Sequence, residues 1–492
     1  MAIKKAVTRS SSSIVVPYQP TEPYGQFLSN FDQLYAGMWY MFNIYYFPSN
    51  TQCKSPQDLT ASLKRSLSRV LVDYPVLAGR VRLDKDGRYE VFCNDAGAEV
   101  IEAFADARFD LWEDLKDCSL ELELNPDDGV IADYKTAPLL KIQVTHFKCG
   151  GVALSLGWAH IVADGCAATG FLKSWGEIHR GMPISAPPTF DTTILKASGL
   201  PTKLEPLDDY ISSPLDSNST TLNNKIPETS TYQTLVFRFT HDSVEEILKE
   251  VESGPWSYGS ATPFEAVSAL VWKAMTEARN LSDNQPSKYI IPVNCRPRLR
   301  PPLSPTYFAN AKHMTSAVAL AGNLKARHFS YAAHVIHEKL KEVDSHLIRG
   351  VIDWMEQQIV EGCRIGFNAD YYCGYDVQTA SFLGFPCFQV DFGWGRPLHM
   401  SFPILPVFGD GLALLMPTAE EGLSTNVITS LPAHHMQKLL QDQAFVKYLP
   451  SFRMATADQT ADHSAEDIDM AANPSSDEVV QLQHHNLPSL QD

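Results

Sequence analysis

Apolar residues recur with two different periods along the chain, and these periods predict both strands and helices. In the run GVALSLGWAH at 151–160, every second side chain is apolar over Val152, Leu154, Leu156 and Trp158. Such alternation is typical of a strand with one buried face. The strand-like run LLKIQVTHF precedes it at 139–147, and the glycines of the intervening KCGG supply a tight turn. The pattern therefore predicts a strand pair in the first half.

Helical spacing follows this pair. The run GCAATGFLKSWGEIHRG predicts a helix that begins after Asp164 and ends near Gly181. Further elements of the first half are a strand in YMFNIYYF at 40–47 and a helix on Leu63, Leu67, Val70 and Leu71. Those predicted in the second half are a strand at 232–240, a helix from Asp242, a helix at 262–280 with Phe264, Val267, Leu270 and Val271 on one side, a strand at 289–295 and a helix at about 325–348.

The order of these elements predicts an α/β protein of two domains of similar size, each a mixed β-sheet with flanking helices. A chain of 492 residues is long for one core. The predicted segments are a flexible arm at 1–20, an N-terminal domain at 21–200, a linker or crossover rich in Pro, Ser, Thr and Asn at 201–230, a C-terminal domain at 231–455, and a disordered acidic tail at 456–492.

Composition and charge narrow the class of protein. A net charge of −17 argues against a nucleic-acid surface. The nine cysteines include no CxxC pair, which favours reduced thiols in the cytoplasm and predicts no metal site. No window reaches the roughly 18 apolar residues of a membrane span. We therefore expect a cytoplasmic, monomeric protein that binds neither nucleic acid nor membrane.

One histidine stands out as a candidate general base. His160 and Asp164 lie in GWAHIVADG, between the predicted strand and the predicted helix. The chain has 15 histidines, and the same spacing recurs at His463 and Asp467 in the acidic tail. The motif is therefore weak alone, and it gains weight from the distant sequence DFGWGRP at 391–397.

Together these motifs resemble the plant BAHD acyltransferases, which use acyl-coenzyme A. The resemblance extends in order through LSNFDQ (28–33), YPVLAGRV (74–81), HIVADG (160–165), TPFEAVSALVWKA (262–274), VNCRPR (293–298), YFANA (307–311) and DFGWGRP (391–397). Related condensation enzymes that use carrier proteins have a doubled histidine, where this chain has Ala159, and they lack DFGWG. The resemblance implies a chloramphenicol-acetyltransferase-like fold with an active-site channel at the domain interface.

The resemblance also implies roles for the motif residues. His160 is the general base, since a neutral imidazole takes protons near physiological pH. Asp164 is architectural: it is placed to cap the helix that starts at Gly165, and the family pairs it with an arginine, here Arg296 or Arg298. The other implied positions are Asp391, which is a candidate to share that pair, the turn glycines Gly393 and Gly395, and Trp394, which either stabilises the oxyanion or packs beside the coenzyme.

Candidates for the two substrates are less sharply marked. By resemblance, Thr262, Lys273 and Arg279 lie near the coenzyme phosphates. Shikimate- and quinate-acylating members bind the acceptor carboxylate through an arginine, and Gly384 stands at that position here, which argues against an acidic acceptor of that type. Tyr307, Phe308, Phe382 and Phe385 predict an aromatic-tolerant acceptor pocket.

The predicted function is transfer of an acyl group from coenzyme A directly to a small-molecule alcohol or amine, without a permanently bound cofactor. A hydroxycinnamoyl group, as in plant phenylpropanoid metabolism, is the expected donor. The alternatives are an acetyl or aliphatic transferase of the same fold, a carrier-protein condensation domain, and a family-shaped protein that binds acyl-coenzyme A without turnover.

Overall fold

Two six-stranded sheets form the centres of the two halves of the chain, with helices packed beside them. The computed structural model describes residues 7–36, 39–49, 55–106, 120–131, 133–199, 208–214, 232–368, 375–403 and 410–449. In these ranges no helix combines the length and apolar character that a membrane crossing requires. The predicted tail at 456–492 lies outside the described residues.

The first sheet contains the predicted strand pair. Its strands are β1 (Val7–Val15), β3 (Tyr40–Phe47), β6 (Ala98–Ala105), β7 (Leu140–Phe147), β8 (Val152–Ala159) and β15 (His399–Ser401), in the order β1-β6-β7-β8-β3-β15. The antiparallel pairing of β7 and β8 is confirmed, with Ile142 opposite Leu156. Every residue of β8 is buried, so the intervening small side chains also face packed surroundings instead of solvent.

The predicted flexible arm is wrong for Val7–Val15. These residues form an edge strand that pairs antiparallel with β6, from Val7 opposite Ala105 to Val15 opposite Ala98. Four serines interrupt the apolar pattern of this strand. Backbone hydrogen bonds to β6 therefore hold the strand in the sheet. The Arg9 side chain adds a hydrogen bond of 2.8 Å to the Asn125 carbonyl.

The helices of the first half are α1 (Asn30–Gln33), α2 (Pro56–Val70) and α3 (Gly165–His179), and a small sheet consists of β2 (Tyr24–Phe27), β4 (Arg80–Leu83) and β5 (Tyr89–Cys93). The positions of α2 and α3 confirm the helical periods. Helix α2 begins at a side-chain cap from Ser55 and buries Leu63, Leu67 and Val70 along one stripe.

The second sheet lies in the other half. Its strands are β10 (Tyr232–Phe239), β11 (Pro286–Asn294), β12 (Lys312–Leu320), β14 (Val377–Ser381), β16 (Leu412–Pro417) and β17 (Thr425–Pro432), in the order β10-β17-β16-β14-β11-β12. Parallel and antiparallel neighbours both occur, which confirms the predicted mixed sheets. The helices of this half are α4 (His241–Ser253), α5 (Pro263–Ala278), α6 (Ala321–Ala326), α7 (Ser330–Glu342), α8 (Ser345–Val360), α9 (Ala433–Gln441) and α10 (Gln443–Val446).

Two predicted segments differ from the structure. The single helix at about 325–348 is wrong: α6, α7 and α8 divide that region, and Asp344 caps α8 by accepting a 2.9 Å hydrogen bond from the Leu347 amide. The predicted linker at 201–230 contains a strand, β9 (Tyr210–Pro214), which pairs with β13 (Cys363–Phe367). The rest of that linker, apart from residues 208–209, lies outside the described residues.

The two halves are joined directly. Strand β15, from the second half of the chain, pairs with β3 of the first sheet, with Met400 opposite Tyr45. Helix α1 contacts α8, where the Asn30 side-chain amide donates 3.1 Å to the Ile352 carbonyl. These contacts fix the relative positions of the residues that surround His160.

Candidate active site

His160 lies where a buried strand ends. Strand β8 leads into a short 3₁₀ turn, His160–Val162, and helix α3 follows. The Trp158 indole N–H donates 2.9 Å to the Ala163 carbonyl and closes the turn. The backbone carbonyl of His160 accepts a 2.8 Å hydrogen bond from the Asn310 side chain. The base is therefore anchored through its backbone as well as its ring.

The imidazole of His160 has two close neighbours. Its ring stacks on Tyr35, with ring centroids 3.8 Å apart and an angle of 11° between the planes. Its Nε2 atom lies 3.2 Å from the Nζ atom of Lys312. Burial, and then the positive charge of Lys312, hold the pKa of His160 well below its usual value. The ring is therefore neutral near pH 7, as a general base requires.

Asp164 connects three segments and does not contact the imidazole as a relay partner would. Its carboxylate accepts 2.8 Å and 3.1 Å hydrogen bonds from Arg296, 3.0 Å from the Ala311 amide and 2.9 Å from the Ala167 amide at the start of α3. Burial opposes ionisation, but the Arg296 guanidinium and these hydrogen bonds keep the pKa of Asp164 below its usual value. Arg298 is not the partner, since it donates to the Leu340 and Val343 carbonyls.

The YFANA segment links these groups to the LSNFDQ segment. Arg296 also donates to the carbonyls of Tyr307 and Ala309. Both the backbone and side-chain amides of Asn310 donate to Asp32, at 2.8 Å and 2.9 Å. Burial raises the pKa of Asp32 to about 6. Four motifs that are distant in sequence therefore converge on the backbone around His160.

The DFGWG loop packs against α3, where Gly176 lies next to the backbone of Asp391. Asp391 accepts hydrogen bonds from the Gly393 and Gly395 amides, at 2.7 Å and 3.3 Å, and lies 3.4 Å from Arg180. It does not share the Asp164–Arg296 pair. Both glycines have positive φ, 94° and 107°, a conformation that favours glycine.

Trp394 packs against aromatic side chains and is absent from the described lining of the His160 cavity. Its ring makes an edge contact with Phe47 at 6.1 Å and with His179 at 5.3 Å, and it stacks on Phe392 at 5.3 Å. The oxyanion role predicted for Trp394 thus has no geometric basis, and the packing alternative describes its contacts.

The three predicted coenzyme ligands have internal partners. Thr262 caps α5 in a reciprocal pair with Glu265. Lys273 donates to the Leu324 and Lys325 carbonyls and pairs with Glu277. The Arg279 side chain is fully buried and pairs with Asp410 at 2.7 Å. Since a buried guanidinium cannot reach a phosphate in solvent, the prediction for Arg279 is wrong. None of the three appears in the described lining of the His160 cavity.

The cavity beside His160 has a volume of about 800 Å³ and is lined by both halves of the chain. Its aromatic lining residues are Tyr35, Trp39, Trp158, Phe264, Phe367, Phe382, Phe385 and Phe402. Of the five predicted acceptor-pocket residues, Phe382, Gly384 and Phe385 line this cavity. Tyr307 and Phe308 instead belong to the core, at 1% and 4% exposure.

Sequence analysis missed two residues that contact the base, Tyr35 and Lys312. Tyr35 follows the LSNFDQ motif by two positions, and Lys312 follows Asn310 by two positions at the start of β12. The sequence did contain a signal for Lys312. It is a single lysine in the strand KHMTSAVAL, whose other residues are uncharged when His313 is neutral. Burial lowers the pKa of His313 to about 3, so that ring is neutral.

The fold and the site together define an acyltransferase with two sheet-containing domains. The chain belongs to the BAHD acyltransferases, since the model described as "Transferase family" matches residues 5–446. The chain is 33% identical to shikimate O-hydroxycinnamoyltransferase from Nicotiana tabacum over 77% of this chain and 87% of that protein. It is 31% identical to hydroxycinnamoyl-CoA:piscidic acid hydroxycinnamoyltransferase from Actaea racemosa, over 84% and 94%.

A solved structure supports the fold. F. sporotrichioides TRI101, complexed with coenzyme A and T-2, superposes with a TM-score of 0.72 and 16% identity, covering 87% of this chain and 99% of that chain. At this identity the likeness concerns the fold alone.

Proposed function

We propose that this acyltransferase moves a hydroxycinnamoyl group from coenzyme A to a hydroxyl or amine of a small acceptor, in a ternary complex. The observation that carries the proposal is a neutral, buried imidazole in the wall of a cavity between the two halves, whose described lining includes eight Phe, Trp and Tyr side chains. The relatives whose names specify hydroxycinnamoyl transfer support the choice of donor.

His160 supplies the chemistry in this proposal. Its Nε2 takes the proton of the acceptor as the acceptor oxygen or nitrogen attacks the thioester carbonyl carbon. The carbon–sulfur bond then breaks, and the coenzyme A thiolate leaves with the proton from the imidazolium. Stacking on Tyr35 orients the ring, and the hydrogen bond from Asn310 to the His160 carbonyl holds the backbone that carries it.

The aromatic lining favours a flat, conjugated acyl group. Phe264, Phe382, Phe385 and Phe402 offer ring faces and edges to a cinnamoyl ring, whereas an acetyl group would leave most of an 800 Å³ cavity unfilled. We therefore expect p-coumaroyl-coenzyme A to be a better donor than acetyl-coenzyme A, judged by kcat/KM.

The test is to incubate the protein with p-coumaroyl- and acetyl-coenzyme A against a panel of alcohols, hydroxy acids and amines, and to detect new masses. His160→Ala should reduce transfer by roughly 10²–10⁴-fold, the range for loss of a general base. The control is His346→Ala, an exposed histidine on α8. Normal turnover by His160→Ala would contradict the mechanism, and donor binding without any product would favour the silent ligand-binding alternative.

A further inference from the structure

Among the charged residues in the described lining of the His160 cavity, Lys312 is the cation that has no hydrogen-bonded carboxylate or carbonyl partner. Those in the described lining are Asp164, Arg296, Arg298 and Lys312. Arg296 is committed to Asp164, and Arg298 to two backbone carbonyls. In the described parts of the chain, the Lys312 ammonium contacts the ring nitrogen of His160 and the face of Tyr35, whose centroid is 4.8 Å away. The Asp164 carboxylate also acts on it through its charge, without a hydrogen bond between them.

This ammonium stands beside the reacting atoms. Lys312 Nζ lies 3.2 Å from His160 Nε2, the atom assigned to take the acceptor's proton. A charged ammonium can only donate hydrogen bonds, so it occupies the lone pair that the base needs. In a catalytic cycle the ammonium must therefore stop donating to Nε2, and an anion on the substrate would redirect it.

We propose that Lys312 binds the carboxylate of the acceptor and that the acceptor is a 2-hydroxy carboxylic acid. This inference rests on the proposed function. In such an acid, the hydroxyl oxygen and the nearer carboxylate oxygen lie roughly 3 Å apart, a hydrogen-bonding separation. The two nitrogen atoms are 3.2 Å apart before the acid binds, so a small displacement of the ammonium lets one acceptor contact both of them with its adjacent groups.

Binding of the acid would free His160 Nε2 to act as the base. The carboxylate draws the ammonium into a charge-assisted pair, which leaves the Nε2 lone pair free for the neighbouring hydroxyl. The hydroxyl proton passes to Nε2, the hydroxyl oxygen bonds to the thioester carbon, and the carbon–sulfur bond breaks. The imidazolium then returns the proton to the departing thiolate. The products are an ester with a free carboxylate and coenzyme A.

The position of Lys312 also accounts for Gly384. The arginine expected in shikimate- and quinate-acylating members is replaced by Gly384, yet the cavity that Gly384 lines retains a cation on another element, β12. Burial lowers the pKa of Lys312 to about 8, so the ammonium is still mostly charged at pH 7. The anion-binding group is thus next to the base, which suits a carboxylate adjacent to the nucleophile.

The experiment compares lactate, mandelate and 3-phenyllactate, each with its own methyl ester, which keeps the hydroxyl and lacks the charge. Binding is measured by calorimetry and transfer with p-coumaroyl-coenzyme A. The proteins are the full chain, Lys312→Met, Lys312→Arg, and the control Lys249→Met, whose exposed lysine pairs with Glu245 on α4. We expect at least one acid to bind roughly tenfold or more tightly than its ester in the full chain and in Lys249→Met.

The variants separate anchoring from other roles. Lys312→Met should lose the preference for acid over ester, and Lys312→Arg should retain part of it. The inference is overturned if the full chain binds acids and esters equally, or if Lys312→Met keeps the preference for acids. The proposed function is unaffected by either result as long as acyl transfer to other acceptors is observed. An equal loss of transfer to acids and esters in Lys312→Met also overturns it, since that result indicates oxyanion stabilisation. Tight, Lys312-dependent binding of an acid without any transfer contradicts the proposed function instead.

Discussion

Asp164 accepts two hydrogen bonds from the guanidinium of Arg296, a residue 132 positions later in the chain. Both side chains are almost completely buried, at 5% and 3% exposure. Asp164 also caps α3, and Arg296 also binds the backbone of the YFANA segment. The pair therefore fixes the turn that carries His160 against the second half of the chain.

Removing the charge of Asp164 should destabilise the protein, because its ion pair with Arg296 is buried. In Asp164→Asn the Arg296 guanidinium stays buried without its counter-charge, and breaking such a pair costs about 3–5 kcal/mol. Denaturant unfolding measures this loss. As a control, Glu245→Gln breaks exposed pairs on α4 and should change the unfolding free energy by less than about 1 kcal/mol. Unchanged stability in Asp164→Asn would contradict the architectural role.

The acid limb of the pH profile should depend on Lys312. Burial and the Lys312 charge both lower the pKa of His160, so the active neutral ring persists at acidic pH. Lys312→Met removes the second cause and raises the pKa of His160. More of the ring is then protonated at a given acidic pH, and the fall of kcat/KM on acidification begins at a higher pH. A methyl ester acceptor should be used, so that carboxylate binding does not contribute. Lys312→Arg keeps the positive charge, so its kcat/KM should fall at the same low pH as in the full chain. If kcat/KM falls at the same pH in the full chain, Lys312→Met and Lys312→Arg, the coupling between Lys312 and His160 is refuted.

Trp394→Phe should retain turnover. The indole packs against Phe47, His179 and Phe392, and phenylalanine preserves an aromatic ring there. We expect kcat within a few-fold of the parent value and a loss of stability of about 1 kcal/mol. Loss of an oxyanion donor would instead reduce kcat by roughly 10²–10³-fold. Steady-state kinetics at saturating substrates distinguishes these results.

Two glycines of α3 provide a matched pair of substitutions. A Cβ at Gly176 would lie 2.7 Å from the backbone carbonyl oxygen of Asp391, whereas a Cβ at Gly170 meets no heavy atom within 4 Å. Gly176→Ala should therefore force the DFGWG loop away from the helix and cost about 1–3 kcal/mol. Gly170→Ala should be neutral or stabilising by up to about 1 kcal/mol. Thermal unfolding of both variants is the measurement, and equal melting temperatures would show that the loop is not packed as described.

The hydrophobic period predicted those helices and strands that are determined by their own local sequence. The β7–β8 pair and the helix after Asp164 carry their turn glycines, cap and apolar stripe within the sequence of each element. Strand β1 was missed because its serine-rich middle gives no alternation, and its hydrogen bonds come from β6. Lys312 was missed for a similar reason: its contact with His160 exists only after the two halves meet. The motif order indicated the family, but it did not reveal that Trp394 packs among Phe47, His179 and Phe392.

Strand β15 has a consequence for synthesis on the ribosome. The edge of β3 stays open until His399–Ser401 has left the exit tunnel, although the rest of the first sheet was made much earlier. An open edge can pair with another nascent chain, and the buried aromatic side chains of β3 would add to such pairing. A polypeptide terminated shortly before His399 lacks β15 and also β16 and β17 of the second sheet, so both sheets keep open edges and the polypeptide should aggregate in the cell.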